Sequence, residues 1–238
     1  MKFKNKKLIL VSFIILLSLT SIFYADAKYS MPMFHLNTST NDKENIIILI
    51  DPGHGGIDGG ATSKSGILEK DINLKIGLKL KSELEKQKYK AIMTREEDKG
   101  LYENSGRIRK KKIEDLNNRC KIKKDSKCNM FISIHLNMFP ESQYYGAQVW
   151  YSKNVESEKL AKITQENLKR DLDTTNNRKE KPALDSYKVL RSNDSMPSII
   201  VECGFLSNPR EAEKLNTDEY QSKIVTSLVK SVNDYYNR

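Results

Sequence analysis

Short runs of consecutive apolar residues recur along the chain, and each is followed by residues that favour turns. The strongest runs cover residues 46–50, residues 130–134, which one serine interrupts, and residues 199–201. Runs of this length that are rich in β-branched side chains are typical of strands buried on both faces of a sheet. Weaker patterns predict three more strands, in residues 89–94, 146–151 and 187–191.

Between these strands, apolar residues recur every three or four positions, which is the spacing of one helix face. One such face, in residues 69–87, consists of Ile72, Ile76, Leu80 and Leu84. Similar patterns predict helices in residues 113–123, 155–172, 210–215 and 218–236. Strands that alternate with amphipathic helices indicate an α/β fold with a largely parallel sheet. We therefore expect one domain, residues 46–238, with a twisted sheet of about six strands flanked by helices.

The first 27 residues have the composition of a secretory signal sequence. Four lysines stand within the first seven residues, residues 8–24 are mostly apolar and uncharged, and residues 25–27, Ala-Asp-Ala, fit a cleavage site. A retained membrane anchor is the alternative, because an uncharged run of this length approaches what a bilayer requires. Either way the domain is expected to act outside the cytoplasm. Residues 28–45 are predicted to be a linker, in which His35 has no chemical role.

The chain is basic overall. Lys and Arg number 41 against 31 Asp and Glu, a net charge of +10, which becomes +7 without the four lysines and one aspartate of residues 1–27. An exported basic domain suits an anionic surface such as a bacterial wall. Nine basic residues but only two acidic ones lie in residues 107–124. This segment is either a docking surface or a solvated helix face, and because it contains no aromatic residue, nucleic-acid binding by base stacking is not expected.

Candidate chemistry is concentrated where predicted strands end. His54 follows the first strand, His135 ends the strand that begins at residue 130, and Glu202 ends the strand that begins at residue 198. In α/β sheets, ligands bind at the carboxyl ends of strands. Two histidines and a carboxylate can hold a catalytic zinc with one position open, and a second carboxylate can accept a proton from water. Glu69, in the first turn of the helix after His54, supplies a further carboxylate.

Each of these residues also has a purely structural interpretation. A histidine can simply pack at a strand end, and Glu69 can serve the helix dipole. Glu202 is harder to explain in this way, because an acidic group at the end of a buried strand is unfavourable unless it is paired or faces a metal. The three cysteines, Cys120, Cys128 and Cys203, match no zinc-ribbon spacing, and a Cys120–Cys128 disulfide is left open.

Five blocks of sequence follow one another between residue 46 and the C-terminus. They are Asp51-Pro-Gly-His54-Gly-Gly with Asp58, Gly60 and Ala61; Glu69; Thr94-Arg95 with Asp98; Ser133-Ile-His135 with Asn137; and Val201-Glu202 with Gly204, Phe205, Ser207 and Asn208. This order resembles the zinc-dependent N-acetylmuramoyl-L-alanine amidases of the amidase-3 family. The resemblance implies one zinc per chain with the ligands His54, Glu69 and His135, and Glu202 as the catalytic acid and base.

Three further residues are candidate substrate contacts. Arg119 stands where the family tends to have an arginine on the helix before the second histidine strand, although the Ala-Asn that usually follows is absent. Arg95 or Arg119 could hold an anionic carboxylate of the substrate, with pairing to a nearby acidic residue as the alternative. Asn137, two residues after His135, is the third candidate.

Within the family, the short architecture and the segments 114–119 and 133–137 most resemble the sporulation-specific branch. The resemblance implies hydrolysis of the amide between N-acetylmuramic acid and L-alanine in peptidoglycan, which removes stem peptides from spore cortex before muramic-δ-lactam formation. The enzyme would act in the cell wall or the intermembrane space of the forespore, with an accessory protein that activates or stabilises the metal site. The rival hypotheses are a zinc carboxypeptidase acting on stem peptides and a non-catalytic wall-binding regulator. The sequence does not indicate an oligomeric state.

Overall fold

The computed structural model describes residues 42–103 and 106–237. A single 3-10 turn, Asp42–Asn45, leads into the sheet. None of the helices in the described residues combines the length and the apolar character needed to cross a bilayer. The predicted signal sequence, most of the predicted linker and His35 lie outside the described residues.

Six strands form one sheet in the order β2-β1-β3-β6-β4-β5. Their bounds are β1 Ile47–Pro52, β2 Lys90–Met93, β3 Met130–Asn137, β4 Gln148–Tyr151, β5 Lys181–Pro182 and β6 Ser198–Phe205. The first four strands in this order pair in parallel, whereas β4 runs antiparallel to β6 and parallel to β5. The prediction of an α/β domain with a mostly parallel sheet of about six strands is confirmed.

The helices are α1 Glu69–Lys86, α2 Ile108–Asp125, α3 Val155–Leu172, α4 Lys188–Arg191, α5 Pro209–Leu215 and α6 Asp218–Tyr236. The predicted strand at residues 187–191 is wrong, because α4 occupies this segment. Val189 and Leu190 pack into the same apolar cluster, whereas consecutive side chains of a strand point to opposite faces. Helix α2 also begins before its predicted start at residue 113, since its first turn is rich in Lys and Arg, which favour helix without forming an apolar stripe.

Apolar side chains cover both faces of the sheet. One cluster joins alternate strand residues such as Ile48 and Ile132 to the apolar faces of α1, α3 and α6. The other joins Leu49, Phe131 and Ile200 to α2 and α4. Since side chains two residues apart share a face of a strand, the polar residues that follow the second set lie on the α2 side: Asp51, Ser133, His135 and Glu202.

The three cysteines are buried free thiols. Cys120 and Cys128 belong to the cluster under α2 and α4, and Cys203 lies on the opposite face of the sheet. A Cys120–Cys128 disulfide is therefore absent from the structure. The thiols contribute as small apolar side chains.

Helix α4 is held against the sheet by a buried lysine. Lys123 of α2 donates hydrogen bonds from Nζ to the carbonyl oxygens of Val189 (2.9 Å) and Ser192 (3.1 Å). The ammonium group also lies 4.7 Å from the centroid of the Phe131 ring. Burial lowers the pKa of Lys123 to about 8. The hydrogen bonds tie the end of α4 to α2, which gives the short helix a defined place above the sheet.

Candidate metal centre and active site

The turn after β1 presents the first histidine in an unusual backbone conformation. His54 has a φ of 63°, in the left-handed region that non-glycine residues rarely occupy. The preceding residue touches the second histidine, because a Cβ on Gly53 would lie 2.2 Å from Cε1 of His135. Any side chain at position 53 would push His135 away, so glycine is required for the imidazole rings to approach with centroids 5.0 Å apart.

Two buried arginines hold this turn from beneath. Arg119 donates to the carbonyl oxygens of Pro52 (2.9 Å) and His54 (2.6 Å). Arg95 donates to the carbonyl oxygens of Pro52 (3.0 Å) and Gly53 (3.0 Å). Their exposed fractions are only 2% and 1%. The observed contacts give both arginines a structural role in the turn, and contact of either with a substrate carboxylate stays a prediction that their burial disfavours.

A buried ion pair lies directly under the turn. Asp51 accepts hydrogen bonds from Arg119 (2.5 Å), from the Thr94 hydroxyl (2.7 Å) and from the Ser133 hydroxyl (2.8 Å). Burial alone would raise the pKa of Asp51, but the guanidinium charge and the two hydroxyl donors outweigh it and lower the pKa. The ionised pair connects β1 to α2, and breaking it would leave an unpaired buried charge beneath His54.

His54, Glu69 and His135 meet at the carboxyl ends of β1 and β3. Glu69 Oε2 lies 3.2 Å from His54 Nε2, and Glu69 Oε1 lies 3.0 Å from His135 Nδ1. One potential ligand atom of each residue lies within 4.8 Å of the others. Among the residues that the structure describes, this is the one group of three or more His, Cys, Asp or Glu side chains so arranged.

The Glu69 carboxylate is oriented by backbone and side-chain donors. Its Oε2 accepts from the Ala61 amide (2.8 Å), and its Oε1 accepts from the Leu136 amide (3.0 Å) and from Asn73 Nδ2 (3.3 Å). Burial alone would raise the pKa of Glu69, but hydrogen bonds and charge from the two imidazoles lower it far below its usual range. Glu69 is therefore a fixed carboxylate with both oxygens directed at the histidines.

A second carboxylate orients His54 from outside the group of three. His54 Nδ1 donates to Asp58 Oδ2 (2.9 Å), which leaves Nε2 facing Glu69. Burial alone would lower the pKa of His54, but Asp58 and Glu69 outweigh it and raise the pKa to about 9. Lys112 pairs with the other oxygen of Asp58 at 2.7 Å. Sequence reasoning quoted Asp58 without assigning it a role, although its position four residues after His54 in a glycine-rich turn was the available signal.

The three residues suit a metal ion by their chemistry and by the space around them. Two imidazoles and one carboxylate form a donor set typical of catalytic zinc. A Cβ on Gly60 would lie 2.5 Å from Glu69 Oε2 and 2.7 Å from His54 Cδ2, so the lack of a side chain there keeps the site open. The hydrogen bond to Asp58 adds the carboxylate partner that metal-binding histidines usually have. This His–Glu–His group could therefore hold a metal ion.

Replacing Asp58 with asparagine is expected to weaken metal affinity about 10- to 100-fold, because the imidazole loses its anionic partner. The measurement is a zinc competition titration with a chromophoric chelator. Asp98→Asn is the matched control, since Asp98 binds the Gly56 amide (2.9 Å) in the same turn without touching an imidazole. Equal losses in the two variants would mean that loosening of the turn, rather than loss of the histidine's partner, governs affinity.

Glu202 is a buried carboxylate beside the His–Glu–His group. It pairs in register with His135 across β3 and β6, and 7% of its surface is exposed. Its Oε2 is buried and has no hydrogen-bond partner among the described residues. Burial raises the pKa of Glu202 to about 7, with the Glu69 charge adding to burial and the imidazoles opposing it. A carboxyl group with such a pKa can both accept and return a proton near neutral pH.

Asn137 and Tyr187 lie at the edges of this site. Asn137 ends β3, and its Oδ1 accepts a hydrogen bond from the Met138 amide (2.8 Å); its contact with substrate stays a prediction. Tyr187, which sequence reasoning missed, precedes α4. Burial and the charge of Glu202 raise the pKa of the Tyr187 hydroxyl. The mistaken strand at residues 187–191 hid this tyrosine, because a strand would not have brought it over the carboxyl end of β6.

A cavity of about 420 Å³ opens beside the two histidines. Its walls come from the turn after β1, from α2 and from the segment around α4. The residues that matter for its charge are Asp51, Asp58, Lys112, Asp115, Arg119, Lys188 and Arg191. A volume of this size is in the range of small-molecule and peptide sites.

An α/β domain with a His–Glu–His group at its strand ends and a buried carboxylate beside it has the arrangement of a metal-dependent hydrolase. Residues 48–234 match the model of the Amidase_3 family, described as N-acetylmuramoyl-L-alanine amidase. The chain belongs to this family. The predicted enzyme class, a peptidoglycan hydrolase of the N-acetylmuramoyl-L-alanine amidase type, is confirmed.

Among curated relatives, the chain is 41% identical to the germination-specific N-acetylmuramoyl-L-alanine amidase of Bacillus subtilis over 192 residues, which cover 80% of this chain and 79% of that protein. Among solved structures, it resembles the CwlD amidase of Clostridioides difficile in complex with the GerS lipoprotein. The identity is 45% and the TM-score 0.78, over 81% of this chain and 99% of the other. A second N-acetylmuramoyl-L-alanine amidase from Clostridium difficile gives 30% identity and a TM-score of 0.70, over 81% of this chain and 97% of that chain.

Proposed function

We propose that this enzyme uses one zinc ion, held by His54, Glu69 and His135, to hydrolyse the amide between N-acetylmuramic acid and L-alanine in spore cortex. The observation that supports the proposal most strongly is the buried carboxylate of Glu202, one oxygen of which has no hydrogen-bond partner among the described residues, beside a His–Glu–His group. The likeness to the germination-specific amidase of Bacillus subtilis supports the cortex as the physiological substrate. Removal of the stem peptides would precede muramic-δ-lactam formation.

Different residues of the chain have different roles in the proposed reaction. Zinc at this position supplies Lewis acidity toward the scissile carbonyl oxygen and acidifies water. His54, oriented by Asp58, and His135, accommodated by Gly53, present their imidazoles to one point, and Glu69 is fixed by the Ala61 and Leu136 amides. The partners in these hydrogen bonds, Asp58 and the Ala61 and Leu136 amides, belong to the protein and orient the His54 and Glu69 side chains.

Glu202 would move the proton. Its ionised carboxylate accepts a proton from the attacking water, and the carboxylic acid then returns it to the departing alanine nitrogen. Both steps use the oxygen that lacks a partner in the described residues. A carboxylate oxygen that was hydrogen-bonded to the protein would first have to break that bond before it could accept a proton from water.

Analysis of the products from purified cortex peptidoglycan tests the proposed reaction. Whole stem peptides with a free L-alanine amino terminus should be released, and the glycan should keep its muramic acid lactyl groups. Shortened peptides that remain attached would instead indicate the rival carboxypeptidase. Binding to the polymer without any release would indicate a non-catalytic wall-binding regulator.

We also propose that the enzyme acts after export, in the cell wall or the intermembrane space of the forespore, and that an accessory protein docks on α2. Two observations support a partner: the related CwlD structure contains a lipoprotein, and α2 exposes apolar side chains among its basic ones, at Ile108, Ile113 and Leu116. Apolar centres are typical of protein interfaces.

Replacing Ile113 and Leu116 with serine is expected to abolish accessory-protein binding at both low and high salt, since an apolar interface is insensitive to screening. Replacing Lys110 and Lys111 with serine should instead weaken polymer binding at low salt only, because screening shortens the range of exposed charges to about 8 Å at physiological ionic strength. Sedimentation with wall polymer and size-exclusion chromatography with a partner check the two outcomes. If neither pair of substitutions changes any binding, this face of α2 is an ordinary solvated surface.

A further inference from the structure

One wall of the cavity beside the histidines carries charges that the proposed mechanism does not use. This wall is α4, which contributes Lys188 and Arg191 to the lining. The helix directly follows Tyr187, whose hydroxyl interacts with the Glu202 carboxylate. His54, His135, Lys188 and Arg191 line the same cavity, so a substrate that occupies it at the histidines can extend to these two cations.

Each acidic group of the cavity is already paired with a cation other than Lys188 and Arg191. Asp51 and Asp115 both pair with Arg119, at 2.5 Å and 2.6 Å. Asp58 pairs with Lys112 at 2.7 Å and with His54. Asp51 belongs to β1, Asp58 to the turn after it and Asp115 to α2, and none of the three forms an ion pair with α4 among the described residues.

Lys188 and Arg191 have neutral partners instead. The Lys188 ammonium donates to the side-chain oxygen of Asn117, and the Arg191 guanidinium donates to the backbone carbonyl of Asp185. The Asp185 carboxylate itself lies 3.4 Å from Lys153. Among the described residues, neither cation forms an ion pair with a carboxylate. Two positive charges thus border the cavity, and their own hydrogen-bond partners carry no charge.

The scaffold of α4 keeps these charges in place. Val189 and Leu190 are buried in the apolar cluster on this face, and Lys123 binds the carbonyl oxygens of Val189 and Ser192. At the start of the helix, the Tyr187 ring packs on Trp150 with centroids 5.6 Å apart. Because the backbone of the helix is anchored at both ends, binding an anion requires ordering of only two side chains.

We infer that Lys188 and Arg191 bind a carboxylate of the departing stem peptide, the free α-carboxylate of its second residue, and thereby select acidic over amidated stems. The inference rests on the proposed function and names a specificity site for the same reaction. The glycan offers no competing anion, because N-acetyl sugars are neutral once the lactyl group is in amide linkage. A planar guanidinium beside an ammonium suits a carboxylate, since Arg can donate two parallel hydrogen bonds to it.

The test uses two matched glycan fragments that carry L-alanyl-D-isoglutamyl or L-alanyl-D-isoglutaminyl stems, which differ by one carboxylate. The zinc-loaded enzyme should hydrolyse the acidic fragment with the lower KM. The double variant Lys188→Gln, Arg191→Gln should raise KM for the acidic fragment about tenfold with little change in kcat, the loss expected for charge-assisted hydrogen bonds. The double variant should therefore lose the preference of the parent enzyme for the acidic fragment. Lys153→Gln removes one charge from the same neighbourhood outside the cavity and should keep the preference.

Three results would overturn the inference: equal KM values of the parent enzyme for both fragments, equal losses of the double variant on both, or the same loss in Lys153→Gln. A fall in kcat on both fragments would also count against it, since it would make α4 a support for Glu202 instead of a carboxylate site. Failure of the proposed function looks different, because the parent enzyme would then release no stem peptide from either fragment. Circular dichroism and zinc content of the double variant confirm that it is folded and loaded.

Discussion

Glutamine at position 202 is expected to lower the rate of amide hydrolysis by about 10²- to 10⁴-fold while zinc content stays at the parental level. The amide keeps the shape of the carboxyl group and cannot accept a proton. Because Glu202 is not among the three residues that face one another in the metal-binding group, its replacement should leave metal affinity intact. Single-turnover release of stem peptides measures the loss of rate, and metal analysis of the same preparation measures the zinc content. A variant that hydrolyses at the parental rate would show that Glu202 is not the base.

The same substitution should make the metal-free protein more stable at alkaline pH. In the folded state burial raises the pKa of Glu202 to about 7 from 4.5. Below the lower value the carboxyl is protonated in both states, so the substitution has little effect there. Above pH 7 the folded protein holds an ionised, unpartnered carboxylate, which destabilises it relative to the unfolded chain. The increase in the free energy of unfolding caused by Glu202→Gln should therefore grow between pH 4.5 and 7, to about 1–3 kcal/mol. Urea unfolding at a series of pH values measures this increase.

Activity should also depend on pH through this residue. The base must be ionised, so the rate should rise as the pH increases through the pKa of Glu202. A cation held nearby lowers the pKa of a carboxyl group, which moves this rise below pH 7 in the metal-loaded enzyme. If the rise in rate with pH disappears in Glu202→Gln, the rise is caused by ionisation of Glu202.

Replacing His135 with alanine is expected to reduce zinc affinity by more than about 100-fold, because one of the three proposed protein ligands is lost. The purified domain should then contain far less than one equivalent of zinc, and peptidoglycan hydrolysis should fall with it. Glu69→Gln should have a similar effect, since Gln retains one acceptor oxygen but not the negative charge that both imidazoles face. Atomic absorption on dialysed protein measures the zinc content.

The control for these losses is Asn73→Ala, which removes a 3.3 Å hydrogen bond to Glu69 without removing a ligand. It should weaken zinc binding much less than His135→Ala. Near-full occupancy in a His54→Ala, His135→Ala double variant would contradict the ligand assignment altogether. Circular dichroism separates loss of the metal from loss of the fold.

Much of the fold could be predicted from the sequence because its strands and long helices have strong local patterns. The run before Asp51 is short, rich in isoleucine and followed by Pro52 and Gly53, which favours a strand over a buried helix segment, and the four-residue spacing of Ile72, Ile76 and Leu80 indicates a helix. Short elements are different. Helix α4 has four residues, too few for a period to emerge, and only burial of consecutive Val189 and Leu190 on one face decides that it is helical.

The candidate site divides in a similar way. His54, His135 and Glu202 could be proposed because each ends a strand that the apolar pattern predicts, and parallel strands bring such ends to one edge of the sheet. The family resemblance added Glu69 as the third ligand, and the structure brings it within 3.2 Å of both imidazoles. The Leu136 amide could not be predicted as a partner, because a backbone donor leaves no mark in the side-chain pattern. The position of Asp58 four residues after His54 was a signal, but only the folded turn shows that the two side chains meet.

The class of fold, the enzyme family and the residues that could hold a metal follow from the sequence alone, because they depend on local periodicity and on motifs that are contiguous in the chain. The contacts of Arg95 and Arg119 come only from the tertiary structure. Their guanidinium groups are buried against the carbonyl oxygens of the turn after β1, and substrate binding by either stays a prediction. The role of a long charged side chain depends on which hydrogen-bond acceptors lie within its reach. For these two arginines, the packing of α2 and of the segment after β2 against the sheet decides which acceptors those are.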